Sequence, residues 1–355
     1  MNTQETRWGL IGASTIASQW MIGAIRAQDG HSISSVLSTD TSRGAEFAVS
    51  HDIGSSTASL SEMLNDHSVD AVYISTTNEK HYDQAMAAIS AGKHVMCEKP
   101  LAMNSRDASE MVKAAEKAGV VFATNHHLRN AGSHLEIKKL IQSGRLGEVR
   151  SVRIFHAVML PPHLQGWRID NASAGGGVIP DIVVHDADTV RFHLDEDPKE
   201  VVAMETSGVM GRGVEDSAMS VWTMPSGIMV QTHESFTHPF ATTGFEVHGD
   251  KGSVIGRNVM TQQPIGEIVL RDADGEHPVQ FSDHNLYERS MGMFAAAIIG
   301  EGAPSASGID GVKALAVAEA VKQAATSGRR TIVDYGGVRS EEHTSELQSP
   351  CNLVC

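Results

Sequence analysis

The chain has 355 residues, 41% of them hydrophobic and 20% charged. This composition is typical of globular proteins, and the length favours two domains. The formal net charge of −15 argues against nucleic acid and acidic membranes as partners. Residues 1–7 lack an apolar signal-peptide core, and no apolar run approaches the ~20 residues that span a bilayer, so we expect a cytoplasmic protein.

The first third of the chain alternates strand-like and helix-like segments. Strands are predicted at Arg7–Ile11, Ser32–Leu37, Ala71–Ser75, His94–Cys97 and Val120–Thr124. Helices are predicted at Ile16–Ala27, Arg43–Val49, Ser61–Asn65, His81–Ala91 and Ser105–Ala118. Strands separated by helices indicate βαβ units and a parallel sheet. We therefore predict a Rossmann dinucleotide-binding domain over residues 1–125.

The pattern changes after residue 125. A helix is predicted at Ser133–Ser143 and a closing helix at Gly311–Ala325. Strands are predicted at Val149–Val158, Ser217–Met224, Gly227–Glu234, Thr243–His248 and Glu267–Arg271. Frequent turn residues between these strands favour antiparallel pairing. Residues 126–338 are thus predicted to form a substrate-binding α+β domain with a large, mostly antiparallel open sheet, which makes the fold class α/β.

The last residues are predicted to lie outside both domains. Residues 339–349 resemble a translated sequencing adapter, so we expect 339–355 to be a non-native tail. A natural disordered tail is the alternative. Cys97 is then the one cysteine outside the tail, and a single cysteine supports no disulfide framework.

A glycine turn follows the first strand. Its sequence, Gly12-Ala13-Ser14-Thr15-Ile16-Ala17, approximates the dinucleotide fingerprint G-x-G-x-x-A. Gly12 suits the tight turn and Ala17 suits close helix–strand packing, but Ser14 replaces the second glycine. Ser14 fits a phosphate if its N–H and hydroxyl face the anion at the helix N-terminus. An ordinary serine N-cap is the alternative.

The end of the second strand predicts the cofactor. NAD enzymes usually place an acidic residue there, for the ribose hydroxyls. This strand ends in Ser38 and Thr39, and Arg43 follows one turn later. A hydroxyl with a guanidinium suits a 2′-phosphate, so NADP(H) is favoured. Asp40 is the argument for NAD, because a small backbone shift would bring its carboxylate to the ribose.

Polar residues end the next two strands, at the edge where parallel sheets bind ligands. Thr76, Thr77, Asn78 and His81 are therefore expected on the nicotinamide side, with a strand-to-helix cap as the alternative. Glu98-Lys99-Pro100 follows the adjacent strand. Lys99 can donate to a carbonyl oxygen and stabilise the alkoxide that forms there, and Glu98 can orient the lysine or a ribose. A surface ion pair is the alternative.

A glycine run precedes the second informative stretch. After Gly175-Gly176-Gly177, Pro180 suits the first turn of a helix. Asp181 and His185, four residues apart, share one face of that helix, where a histidine can relay a proton to a substrate oxygen. A helix-internal hydrogen-bonded pair without chemistry is the alternative.

Other polar and aromatic residues are weaker candidates. Trp167-Arg168 and Asn125 lie near the domain junction and suit recognition of a nicotinamide or a sugar, with interface packing as the alternative. Tyr287 is a similar candidate. The abundant histidines lack a recognised metal spacing, so no metal site is expected; those considered are His126, His127, His156 and His163.

The combination of these motifs resembles the glucose–fructose oxidoreductase/inositol dehydrogenase (Gfo/Idh/MocA) family. The resemblance is carried by Gly12–Ala17, Ser75–Asn78, Glu98-Lys99-Pro100, Thr124–Arg129 and Gly175-Gly-Gly…Asp181…His185. It implies NADPH-dependent reduction of 1,5-anhydro-D-fructose to 1,5-anhydro-D-mannitol. The alternatives are a dehydrogenase of another sugar or an inositol, and a dinucleotide sensor without turnover. The expected partner is a small sugar, and the chain is expected as a monomer or as a homo-oligomer formed through the open sheet face.

The resemblance also implies roles for individual residues. Lys99 and His185 would be catalytic, and Asp181, Trp167 and Arg168 would bind substrate. The implied cofactor contacts are Gly12, Ala13, Ser14, Thr15, Ile16, Ser38, Thr39, Arg43, Thr76, Thr77, Asn78, Glu79, Lys80, His81, Glu98, Lys99, Asn125, Trp167, Arg168 and Tyr287.

Overall fold

The N-terminal part of the chain, up to residue 124 and called the first half below, forms a six-stranded parallel sheet in the computed structural model, which describes residues 5–337. Its strands are β1 (Thr6–Ile11), β2 (His31–Leu37), β3 (Ser55–Thr57), β4 (Ala71–Ile74), β5 (His94–Cys97) and β6 (Phe122–Thr124). The order β3-β2-β1-β4-β5-β6 reverses direction between β1 and β4. The predicted Rossmann fold is confirmed, and ligands of such sheets bind beyond the carboxyl ends of the strands at this reversal.

Five α-helices connect these strands: α1 (Ile22–Arg26), α2 (Thr41–Ser50), α3 (Leu60–Asn65), α4 (His81–Ser90) and α5 (Ser105–Ala118). The predicted helix Ile16–Ala27 is a π-helical turn, Ala17–Met21, that continues into α1. The short edge strand β3 was not predicted, because its Ser-Ser-Thr sequence is polar and lies partly in solvent. The predicted tail at 339–355 and residue 338 lie outside the described residues.

The second half forms a nine-stranded sheet that is antiparallel except where β7 and β10 pair in parallel. Its strands are β7 (Val149–Ala157), β8 (Glu200–Thr206), β9 (Ser217–Thr223), β10 (Met229–Ser235), β11 (Gly244–Gly249), β12 (Gly252–Arg257), β13 (Glu267–Asp272), β14 (Gly275–Val279) and β15 (Thr331–Ile332). The order is β14-β13-β12-β11-β7-β10-β9-β8-β15. The predicted large, mostly antiparallel sheet is therefore confirmed.

The helices of the second half are α6 (Gly132–Gln142), α7 (Trp167–Asp170), α8 (Val184–Leu194), α9 (Leu286–Ile298) and α10 (Gly308–Ser327). A π-helical turn, Ile179–Val183, leads directly into α8. Helix α9 was not predicted, although Asn285 is a strong start signal: its side chain accepts hydrogen bonds from the N–H groups of Tyr287 and Glu288. No helix within residues 5–337 is long and apolar enough to cross a membrane.

Helix α10 joins the two halves, since it packs on β8 and α8 and also on α5 and β6. Its first turn approaches the parallel sheet very closely. A Cβ on Gly311 would lie 2.5 Å from Leu101 Cδ1, and one on Gly308 would lie 2.6 Å from Phe122 Cδ1. The predicted boundary between residues 125 and 126 stays a prediction, but the C-terminal helix clearly completes the core of the first sheet.

The outer face of the nine-stranded sheet is apolar around β8, β9 and β10. Its exposed side chains include Val202, Met204, Met219, Val221 and Met229. Cross-strand register places Met204 opposite Met219 and Val202 opposite Val221. Whether the chain is a monomer or a homo-oligomer through this face stays a prediction.

Candidate active site

The loop after β1 lies beside the carboxyl end of β4. Gly12 has φ +113°, and a Cβ there would lie 3.1 Å from the carbonyl oxygen of Ser75. A larger residue would therefore strain the backbone and crowd β4. The hydroxyl of Ser14 accepts a hydrogen bond from the N–H of Ala17 at 3.1 Å and bonds the hydroxyl of Ser75 at 2.7 Å. Ser14 thus caps the first turn, and its phosphate contact stays a prediction.

Arg43 reaches back from α2 to this loop, where its guanidinium donates to the carbonyl oxygen of Ala13. Asp40 is the N-cap of α2, and its carboxylate accepts from the N–H of Arg43 at 3.0 Å. The same turn therefore directs a cation toward the glycine loop and engages the carboxylate in capping. Ser38 lies half-buried next to it, with Thr39 exposed.

Residues 76–81 connect β4 to α4, and their side chains range from fully buried to exposed. Asn78 is buried and its Nδ2 donates to the carbonyl oxygen of Gly175 at 3.2 Å, which joins the two halves of the chain. His81 is fully buried between the carbonyl oxygens of Pro100, at 2.8 Å, and Thr76, at 3.2 Å. His81 thus ties the Lys99–Pro100 turn to β4. Its predicted cofactor contact, like those of the half-buried Thr77 and the exposed Glu79 and Lys80, stays a prediction.

Glu98 is the acceptor of a small polar cluster. The hydroxyl of Tyr73 and the Nδ2 of Asn125 both donate to its Oε1, the latter at 2.6 Å. Burial raises the pKa of Glu98, although both hydrogen bonds oppose that effect. Within residues 5–337, the buried Oδ1 of Asn125 and Nε1 of Trp20 have no hydrogen-bond partner. Buried polar atoms are normally satisfied, so these two atoms indicate a ligand that supplies a donor and an acceptor.

Trp20 also begins an aromatic stack that leads toward the second half of the chain. Its ring stacks on Tyr287 at 5.3 Å, and Tyr287 stacks on His127 at 5.4 Å between centroids. Tyr287 lies in the first turn of α9, and its side chain is fully buried. The predicted cofactor residue Tyr287 is therefore brought close to the Glu98 cluster, and burial followed by the charge of Glu98 raises the pKa of its hydroxyl.

Lys99 and Asp181 form a buried ion pair across the two halves. The Nζ of Lys99 donates to Oδ1 of Asp181 at 2.8 Å and to its backbone carbonyl at 2.9 Å. The Nε of Arg168 lies 3.4 Å from the other carboxylate oxygen, Oδ2, and its guanidinium lies 4.5 Å from the Trp167 ring centre. Burial alone would raise the pKa of Asp181, but Lys99 and Arg168 outweigh it and hold that pKa at about 2. Asp181 is therefore a permanent anion between two cations at neutral pH.

His185 lies one turn further along the same helical run. Its ring is 4.9 Å from that of His127, and those of His126 and His156 lie 6.2 and 6.4 Å away. Burial, followed by the charge of Lys99, lowers the pKa of His185 well below its usual value. The ring is thus neutral at pH 7. The structure brings together four of the predicted site residues here: Lys99, Asp181, Arg168 and His185.

A buried carboxyl pair behind this group was not predicted. Asp186 and Glu234 are both fully buried, and Oδ1 of Asp186 lies 2.7 Å from Nδ1 of His156. Burial raises the pKa of both carboxyl groups well above the usual value, and the charge of Asp186 raises that of Glu234 further. The alternation of β10, with Val230, Thr232 and Glu234 all inward, was the available signal in the sequence.

The structure also bears on the histidines weighed as metal ligands. His163 is exposed on a short turn, Pro162–Leu164. Over residues 5–337, no group of three or more His, Cys, Asp or Glu side chains is arranged to hold a metal ion. Burial lowers the pKa of His126, His127, His156 and His185, so these four rings are neutral at pH 7.

Comparison with known proteins gives matches over both halves. A family model described as an oxidoreductase family with an NAD-binding Rossmann fold matches residues 6–126, and one described as the GFO/IDH/MocA C-terminal domain matches residues 134–255. A 1,5-anhydro-D-fructose reductase of Ensifer adhaerens is 55% identical over 93% of this chain and 99% of its own length. A myo-inositol 2-dehydrogenase of Thermotoga maritima is 28% identical over 74% of this chain and 79% of its own.

Solved structures agree with this fold. The aldose-aldose oxidoreductase from Caulobacter crescentus, complexed with glycerol, superposes with a TM-score of 0.85 at 25% identity, covering 93% of this chain and 100% of that one. A levoglucosan dehydrogenase superposes with a TM-score of 0.83 at 22% identity, over 94% of this chain and 100% of the other. The whole described architecture is therefore shared with this group of structures.

Proposed function

Because the chain belongs to the GFO/IDH/MocA oxidoreductase family, we propose that it reduces the ketone of 1,5-anhydro-D-fructose to 1,5-anhydro-D-mannitol with NADPH. The observation that carries this proposal is the buried Lys99–Asp181–Arg168 group, placed at the junction of a dinucleotide fold and a second sheet. The substrate is proposed from the Ensifer adhaerens relative, whose identity of 55% extends over nearly the whole chain.

The residues at the end of the parallel sheet fit a dinucleotide. Gly12 forms the tight turn after β1, and a phosphate would be met by the N-terminus of the helical run that Ser14 caps. The free Oδ1 of Asn125 and Nε1 of Trp20 match the donor and acceptor of a primary carboxamide. When bound, the cofactor would supply the hydride from its nicotinamide ring.

NADPH is proposed over NADH because of the turn after β2. The guanidinium of Arg43 donates to the carbonyl oxygen of Ala13 and so lies at the glycine loop. There it would form a charge-assisted contact with a 2′-phosphate. Asp40, the residue that favours NAD in the sequence, is engaged in capping α2. Ser38 and Thr39 add hydroxyl donors without adding negative charge.

The protein groups divide the chemistry at the carbonyl. Lys99, held by Asp181, presents a fixed positive charge that polarises the carbonyl oxygen and stabilises the alkoxide in a poorly hydrated site. His185 is neutral before reaction, but an alkoxide beside it favours its protonated form by opposing the repulsion from Lys99. His185 can then take a proton from solvent and deliver it to the alkoxide oxygen. Asp181, which positions Lys99, can also bind substrate hydroxyls together with Arg168.

The test is NADPH oxidation, followed by absorbance, on addition of 1,5-anhydro-D-fructose to the wild type and to Lys99→Ala and His185→Ala. We expect turnover by the wild type and a loss of about 100-fold or more in kcat/KM in each variant. Full activity in both variants would remove the assignment of these roles.

The same assay separates the competing functions. A panel of ketoses, aldoses and cyclitols with NADPH and NADH, in both directions, identifies a different sugar or inositol as substrate. NADPH binding without turnover of any panel member would instead favour a sensor, in which Lys99 and His185 have no proton or charge to supply.

A further inference from the structure

The helical run that carries Asp181 and His185 is capped from a distant part of the chain. Its first two donors are the N–H groups of Val178 and Ile179, and both are accepted by Glu215, which lies just before β9. The backbone carbonyl of Glu215 accepts from Val178 at 3.0 Å, and its Oε1 accepts from Ile179 at 3.1 Å. The next residue, Pro180, has no N–H. A single residue therefore satisfies both donors at this helix start.

Glu215 is itself held by an ion pair with Lys322. Its side chain is buried, and its second oxygen, Oε2, accepts from Nζ of Lys322 of α10 at 2.8 Å. The same ammonium binds Glu205 of β8 at 2.8 Å. A carboxylate at a helix N-terminus is also favoured by the helix dipole. The side-chain carboxyl group of Glu215 is thus bound at both oxygens, by the Ile179 N–H at Oε1 and by the Lys322 ammonium at Oε2.

The backbone of Gly177 packs closely against the carboxyl group of Glu215. Gly177, with φ +116°, precedes the helical run, and a Cβ there would lie 2.4 Å from Oε1 of Glu215. The first turn that follows is π-helical and contains Asp181. π-helical turns are less regular than α-helix and depend more on outside contacts. The position of Asp181 is therefore sensitive to the hydrogen bond between the Ile179 N–H and Glu215, two residues before it.

We propose that Glu215 is a positioning residue that fixes Asp181 against Lys99, and that Lys322 in turn fixes Glu215. This inference rests on the proposed function of the Lys99–Asp181 pair. Glu215 contacts neither of these two side chains. It acts through the helix start, and a displacement of about 1 Å in a catalytic group can cost about 100-fold in rate.

The experiment compares Glu215→Ala, Glu215→Gln and Lys322→Met with Glu205→Gln as the matched control. Glu205→Gln removes one partner of Lys322 without touching the helix start. We expect Glu215→Ala to lower kcat about 10- to 100-fold, with KM and the NADPH Kd within about twofold of wild type. Glu215→Gln, which keeps an acceptor for the Ile179 N–H, should recover most of kcat. Lys322→Met should be intermediate and Glu205→Gln unchanged.

A second measurement does not depend on turnover. Hydrogen exchange of peptides covering residues 178–185 should accelerate in Glu215→Ala and remain at the wild-type rate in Glu205→Gln. If the wild type turns over no sugar, the proposed function fails while the exchange result still tests the anchor. An unchanged kcat in Glu215→Ala, unchanged exchange at 178–185, or equal losses in Glu215→Ala and Glu205→Gln would each overturn the proposal. If Glu215→Ala does not fold, Lys322→Met decides: a lowered kcat with faster exchange at residues 178–185 supports the proposal, and wild-type values of both overturn it.

Discussion

The Lys99–Asp181 pair gives the sharpest prediction, because it has a stability effect and a catalytic effect that can be measured separately. The perturbation is a double-mutant cycle of Lys99→Met, Asp181→Asn and the double variant. The pKa of Asp181 is held at about 2 instead of the usual 3.8. That difference corresponds to about 2.5 kcal/mol in favour of the ionised carboxylate. Lys99 at 2.8 Å supplies the larger share and Arg168 at 3.4 Å the smaller.

We therefore expect a coupling energy of about 1.5 kcal/mol between Lys99 and Asp181 in the free energy of unfolding at pH 7. Each single variant leaves one buried charge less well paired and should lose about 2 kcal/mol. The double variant should lose less than the sum of the two. Since the folded-state pKa of Asp181 is depressed, this stabilisation is present above pH 3.8 and is lost as pH falls toward 2.

The assays are urea unfolding and kcat/KM measured on the same preparations. Activity should fall by about 100- to 1000-fold in every variant that lacks Lys99, because a fixed charge at the developing alkoxide is lost. The double variant should thus regain stability without regaining activity. Additive unfolding energies within about 0.3 kcal/mol, or a double variant as active as Asp181→Asn, would refute the reasoning.

Three further outcomes are expected. Arg43→Ala should raise the KM for NADPH about tenfold while leaving NADH nearly unaffected, since one charge-assisted contact is lost; equal effects on both cofactors would contradict this. His134, hydrogen-bonded to His193, has its pKa lowered by burial to about 4, so its contribution is present above pH 6.5 and lost as pH falls to 4. The stability advantage of the wild type over His134→Gln should therefore shrink by about 3 kcal/mol between pH 7 and pH 4 in denaturant unfolding. The pKa of Glu234 is raised, so its contribution is greatest at low pH and is lost as pH rises. Glu234→Gln should gain Tm relative to wild type from pH 5 to pH 8, and a constant offset would count against a raised pKa of Glu234.

Much of the fold was accessible from periodicity alone. Strands and helices of the first half follow the predicted order, because each apolar run is bounded by a glycine or a polar cap. Helix α9 was missed because the polar Ser282-Asp283-His284 segment before Asn285 is typical of a loop. The parallel pairing of β7 and β10 was also inaccessible, since strand register depends on partners about 80 residues apart.

The candidate site was predicted only in part. Residues at strand ends, such as Lys99, were found because parallel sheets gather those ends at one edge. The ion pair with Asp181 joins positions 82 residues apart, which no local pattern shows. Glu215 was missed for a related reason, since its donors lie 36 and 107 residues away along the chain. Glu234 was missed although the alternation of β10 places it on the inward face.

The close contact of Gly308 and Gly311 with Phe122 and Leu101 has a consequence for biosynthesis. The parallel sheet is made first, yet its outer surface beside β6 is closed only by residues translated some 180 positions later. A nascent chain that has just emerged through residue 126 therefore carries an unsealed dinucleotide fold with exposed apolar side chains. Until α10 leaves the ribosome, this surface is available to chaperones and to aggregation.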